Sequence, residues 1–267
     1  MLISVITVNY NDSEGLQKTL ESSFAQSCSG EWEQLVIDGG SSDGSQQVIS
    51  RYADRLAYHV SERDGGIYEG MNKGVAKAQG KYCIFMNAGD TFASDDVLEK
   101  VMQHLSTDAD FYVGNVLRAD WHKGIIRSPK AITASYMLLR SLPHQGMFIR
   151  TQLLRNRPYQ TQYRIIADWE QQTYELLLNG ARYEHLDITI ANFDATGISN
   201  SNQKASEQER KRATDALFSR CLQESLMGRD KYESRLFYSL SKDTAKARHI
   251  AMWLNHIKWV FADLLSR

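Results

Sequence analysis

Asp90 closes the stretch FMNAGD (85–90), where the apolar segment YCIFM gives way to Asn87, Ala88 and Gly89. A lone carboxylate released into a small-residue turn reads as a β-turn, or as a ligand that holds a divalent cation against phosphate oxygens. DGGSSDGS (38–45) sets two Asp among Gly and Ser, residues small enough for a ligand to approach the backbone closely. Asp38 there is placed to accept hydrogen bonds from a base or ribose; the plainer reading is a helix entry capped by Asp43. SERDGG (61–66) puts Asp64 beside Gly65-Gly66, ahead of a helix carrying Asn72 and Lys73. That arrangement contacts a nucleotide or is simply loop-to-helix chemistry. Asp168, in IIADWE (165–170), reads on its own as a helix N-cap. Trp169 beside it stacks on a sugar or packs in the core, and His144 is a structural hydrogen-bonder or a ligand contact.

No G-x-G-x-x-G follows the first apolar run, and no G-x-x-x-x-G-K-[ST] occurs anywhere. A diphosphate bound without a glycine cradle is often neutralised by a carboxylate-held divalent cation. Asp90 is the natural candidate.

These clusters sit at the ends of strand-like runs. ISVITVNY, WEQLVID, RLAYHVS and KYCIFM alternate with helical patterns at EGLQKTLESSFAQ, DGSQQVISRYA, IYEGMNKGVAKAQ and SDDVLEKVMQHL, the last capped by Ser94 or Asp95. Such alternation predicts an α/β fold with a mostly parallel sheet covered by helices on both faces. Ligands then bind beyond the carboxyl ends of the strands, where the polar clusters lie. The middle is less regular, with strand-like FYVGNV, GMFIR and EHLDITIANF and a helix ADWEQQTYELLLNG ending at Gly180. From about 203 the composition turns polar and helical.

The chain has 267 residues, 42% hydrophobic and 24% charged, and its net charge of −1 argues against broad nucleic-acid binding. Cys28, Cys83 and Cys221 match no zinc or redox spacing and their odd number argues against a disulfide framework, so a cytoplasmic setting is expected. The N-terminus alternates like a strand and has no basic n-region, so it reads as the first strand rather than a signal peptide.

In order, ITVNYN, VIDGGSSDGS, ERDGGIYEGMNKGVAKAQGKY and FMNAGD resemble the N-terminal half of glycosyltransferase family 2, inverting enzymes of the GT-A fold. The resemblance covers roughly residues 1–100. LPHQGMFIR (142–150) and IIADWE resemble later motifs of a subgroup that builds bacterial exopolysaccharide, capsule or O-antigen. It implies that Thr7, Asn9, Asn11, Asp38 and Asp64 line the nucleotide pocket, with Asn72 and Lys73 near the ribose and phosphates. It gives Asp90 the metal of a D-x-D motif, Mg2+ or Mn2+, although Gly89 stands where a first Asp often stands. It makes Asp168 the catalytic base, with Glu170 the local alternative. It makes His144 and Gln145 substrate-binding residues, and a lipid-linked acceptor is common in the subgroup.

The expected organisation is a catalytic domain over 1–200, with a nucleotide-sugar half at 1–110 and an acceptor half at 111–200, then a helical extension over 201–267. In the tail, Ile250, Trp253, Leu254, Ile257, Val260, Phe261, Leu264 and Leu265 form one apolar stripe among an excess of basic residues. That helix lies on the inner face of the cytoplasmic membrane, or packs on the catalytic domain or across a dimer. The expected reaction is sugar transfer from a nucleotide diphosphate, a UDP-sugar first, to a growing surface glycan. The rivals are a nucleotidyltransferase that makes nucleotide sugars and a non-catalytic nucleotide-sugar binder. NYNDSEG lacks the Arg and Gly density that the former wants after its first strand.

Overall fold

The computed structural model describes residues 2–28, 31–118, 124–194 and 202–219. Met1–Ala213 forms one compact unit and Thr214–Arg267 a second, of which only 214–219 are described. The tail helix expected near 244–266 therefore lies outside the described residues. Among those that are described, no helix is long and apolar enough to cross a membrane.

Strands β1 (Ile3–Asn9), β2 (Trp32–Asp38), β3 (Tyr58–Ser61) and β4 (Tyr82–Phe85) alternate with helices α1 (Ser13–Phe24), α2 (Ser45–Tyr52) and α3 (Ile67–Lys77). After them come β5 (Thr91–Phe92), α4 (Val97–Met102), β6 (Phe111–Arg118), β7 (Ile125–Ile126), α5 (Ala134–Leu139), β8 (Met147–Arg150), α6 (Thr151–Asn156), α7 (Ala167–Leu177), β9 (Tyr183–Phe193) and α8 (Gln203–Leu217). They build one nine-stranded sheet in the order β3-β2-β1-β4-β8-β6-β9-β5, with β7 on β6. The pairings from β3 through β4 are all parallel, as strand-helix alternation predicts. β8 then runs antiparallel to both β4 and β6, β6 and β9 are parallel, and β5 closes antiparallel on β9. The whole is the mixed, helix-flanked sheet of the GT-A fold.

Each strand's residue pattern follows from its place. All seven residues of central β1 are buried, whereas edge strand β3 alternates half-buried and exposed. Ile6 and Val8 of β1 pack with Met71 and Val75 of α3, while Ile3 and Val5 join Val97 and Leu98 of α4 on the opposite face. α3 lies very close to β1 because it presents glycines there: a Cβ on Gly74 would fall 2.4 Å from Ile6 Cγ2. α4 departs from expectation. It starts after Asp96, and Ser94 Oγ is spent on the Asp96 carboxylate rather than on a cap. The first unit also runs past the expected division at 200. Glu209 of α8 accepts hydrogen bonds from the backbone N–H groups of Arg164 and Ile165, fastening the start of that helix to the catalytic unit.

Candidate active site

Three loops at the carboxyl ends of β1, β2 and β3 are tied together by one buried carboxylate. Asp38 accepts from Asn9 Nδ2 at 2.7 Å, Ser61 Oγ at 2.6 Å, and both the backbone N–H and the hydroxyl of Ser41. Burial works to raise its pKa, but the hydrogen bonds from Ser41, Ser61 and Asn9 outweigh burial and leave it below the usual carboxylate range. Asp38 and Thr7 have no accessible surface, Asn9 next to none, and Thr7 Oγ1 is taken by Gln34 Nε2. These three side chains therefore do not reach a ligand directly, contrary to expectation; Asn9 and Asp38 shape the loops that can. Asn72 belongs with them, because its amide exchanges two hydrogen bonds with the backbone of Tyr159.

What those loops expose is Tyr10, Asn11 and Asp64. Asn11 adopts φ +51°, and its Oδ1 accepts from Ser42 N, locking one loop to the other. That turn leaves Tyr10 68% exposed, an aromatic face at the cleft rim that sequence reasoning passed over. A Cβ on Gly39 would lie 3.2 Å from both the Tyr10 ring and the Asp64 carboxylate, so the three converge. Burial raises the Asp64 pKa, with Asp38 adding to it. Lys73, half-buried, pairs with Glu62 at 2.9 Å and Glu69 at 3.4 Å.

The cleft itself, about 520 Å³, contains Asp90, His144, Gln145 and Asp168 together. Asp90 is 3% exposed; Oδ1 accepts from Asp194 N and Oδ2 from Gln145 Nε2. Burial pushes its pKa up to about 6, against the pull of His144. The turn that carries it is fixed by Thr19, whose hydroxyl donates to Asp90 O and accepts from Gly89 N. Asp168 stands in the first turn of α7, two positions past the cap residue Ile166, so the capping reading gives way. Its Oδ1 accepts from Tyr68 OH at 2.8 Å and Trp169 N, and Oδ2 lies 3.4 Å from His144 Nδ1. Burial opposes ionisation there, yet His144 and Tyr68 leave the Asp168 pKa below the ordinary range. His144 Nε2 meets Asn87 Nδ2 at 3.0 Å. The adjacent pair His144-Gln145, in a single tight turn before β8, thus braces Asp168 with one residue and Asp90 with the other.

Two further expectations are corrected. Trp169 is fully buried, donates from Nε1 to Met137 O, and has the Arg210 guanidinium over its ring at 4.4 Å, so it packs in the core instead of stacking on a sugar. Glu170 is buried in an ion pair with Arg157 and turned away as an alternative base. Tyr68, Asn87 and Asp194 join the site without having been foreseen.

The donor set fits a hard cation. Each Asp90 oxygen has one hydrogen bond described above, and a carboxylate oxygen has capacity for a second interaction. No group of three or more His, Cys, Asp or Glu able to hold a metal exists among the described residues. A cation here would complete its shell with diphosphate oxygens and water.

Residues 4–167 match the family described as "Glycosyl transferase family 2". Over 206 residues the chain is 32% identical to an uncharacterized glycosyltransferase of Mycobacterium tuberculosis strain CDC 1551 / Oshkosh, covering 73% of this chain and 76% of that one. Residues 1–349 of S. aureus TarS, solved in complex with UDP, superpose with a TM-score of 0.63 at 18% identity, over 85% of this chain and 75% of that one. A mannosyltransferase from Pyrobaculum calidifontis, solved with GDP-Man and Mn2+, gives 0.62 at 14% identity, over 96% of this chain and 79% of that one. At such identities the two structures speak for the fold.

Proposed function

The chain belongs to glycosyltransferase family 2, and on that premise we propose that it transfers a sugar, with inversion, from a nucleotide diphosphate to a hydroxyl of a growing bacterial surface glycan. One observation carries this reading: Asp90 and Asp168 face a single cleft, each held by one of two consecutive residues. Asp168 takes the proton of the acceptor hydroxyl as that oxygen bonds to the anomeric carbon. The bond from that carbon to the diphosphate breaks on the opposite face, and the electron pair leaves with the phosphate oxygen. Asp90 holds Mg2+ or Mn2+, which when bound neutralises charge on the departing diphosphate. Tyr10 stacks on the base, Asp64 accepts from it or from the ribose, and Lys73 faces the phosphates. UDP is the first donor to test, in keeping with the TarS complex; the Mn2+ complex of the mannosyltransferase supports the metal.

Calorimetry of a nucleotide-sugar panel in Mn2+ tests the reading. Micromolar binding of one donor is expected, and Tyr10→Ala weakens it by about 1–3 kcal/mol, the size of a lost base-aromatic stack. No binding across the panel, or pyrophosphate release instead of sugar transfer, would sink it.

The acceptor is proposed to be lipid-linked, on the strength of the basic amphipathic pattern at 244–267. Deleting those residues is expected to release the protein from vesicles containing anionic lipid. Unchanged co-sedimentation assigns the tail to packing.

A further inference from the structure

Gly89 breaks the acidic motif, yet the fold brings a second carboxylate to its side. β5 and β9 pair antiparallel in the register Thr91↔Asn192 and Phe92↔Ala191. Continuing that ladder two steps from the Thr91↔Asn192 pair sets residue 194 opposite residue 89. Asn192 Nδ2, bonded to Thr91 Oγ1 at 3.1 Å, pins the register, and Asp194 N donates to Asp90 Oδ1 at 3.0 Å. Gly89 has φ +95°, and a Cβ there would stand 2.8 Å from Asp194 Oδ2 and 3.2 Å from Asp194 Cβ. The space that a side chain at 89 would fill is taken by the Asp194 carboxylate.

We infer that Asp194 supplies the second carboxylate of the divalent-cation site, replacing from β9 the acid that the sequence lacks at Gly89. This rests on the proposed nucleotide-sugar reading and adds to it a ligand from the far end of the chain's catalytic unit. Two carboxylates held side by side repel each other, and a divalent cation between them turns that repulsion into attraction. A second feature lies in the same cleft. Asn87 Oδ1, buried without a hydrogen-bond partner, belongs to a residue lining the cleft that Asp90 and Asp194 also line. An unmatched oxygen acceptor in the same cleft as two carboxylates is compatible with a hard cation and its water shell.

The test measures Mn2+ binding to the full chain with UDP present, by loss of the free-ion electron paramagnetic resonance signal. Asp194→Asn and Asp194→Ala are each expected to weaken Mn2+ at least about tenfold, the alanine guarding against ligation by the amide oxygen. Melting temperatures taken without metal check that each variant is folded, and loss of Mn2+ by folded protein is the outcome that supports the ligand. If both variants hold Mn2+ within about two-fold of the unaltered chain while Asp90→Asn loses it, Asp194 is not a ligand and the nucleotide-sugar reading stands. If the unaltered chain binds neither UDP nor Mn2+, both fall.

Discussion

Asp168→Asn lowers the rate of sugar transfer by about 10²–10⁴-fold while donor affinity stays within a few-fold. The asymmetry follows from position. Asp168 is bonded to Tyr68, Trp169 N and His144, and the donor contacts proposed here come from other loops. An amide keeps the shape and still accepts from Tyr68, but it cannot take a proton. The pH dependence sharpens the test. The carboxyl lies below its ordinary range because hydrogen bonds from His144 and Tyr68 favour the charged form over the opposing effect of burial. A lowered pKa keeps the base ionised at neutral pH, so its activity is lost only as pH falls through that lowered value. In Tyr68→Phe one stabilising hydrogen bond is gone, and the acid limb moves to higher pH. Transfer that survives in Asp168→Asn at the unaltered rate removes Asp168 from the reaction. Glu170 cannot inherit the role, being tied to Arg157.

Much of the nucleotide half was legible because it rests on local rules. A β-branched run such as ISVITVNY, followed by polar small residues and then a helical period, fixes a strand, a loop and a helix without long-range information. What sequence could not fix was the direction of polar side chains at strand ends. Thr7 and Asp38 look like ligand contacts by type, yet their strands are buried on both faces of the sheet, so their side chains lie in the interior, where hydrogen bonds with Gln34, Ser41 and Ser61 satisfy them. Tyr10, between two residues that look more chemical, faces out, as Asn11 does, while Asn9 is buried. Trp169 was undecidable for a related reason: helical periodicity gave it two neighbours, and only the placement of Met137 and Arg210 buried it. Asp194 carried no signal at all, since its meaning depends on the register of β5 against β9, a pairing across a hundred residues of chain.

Asp90→Ala lowers kcat/KM by about 10²–10³-fold, the equivalent of the several kcal/mol that a bound cation contributes to developing negative charge. Alanine does two things at once, and they separate. It removes the carboxylate, and it leaves Gln145 Nε2 and Asp194 N without an acceptor in a site that is 3% exposed, which costs stability. Asp90→Asn comes closer to isolating the first effect, because its amide oxygen still serves one of those two donors while the charge is gone. Both variants are expected to lose rate in parallel, and the alanine variant to lower the urea midpoint further than the asparagine variant, which leaves one donor unmatched instead of two. The unaltered chain loses activity in chelator and regains it on adding Mn2+, whereas neither variant responds to the ion. Full activity of the unaltered chain in chelator would remove the cation from the reaction. Gln145 would then have to be read as a donor that holds Asp90 in place for purely structural ends.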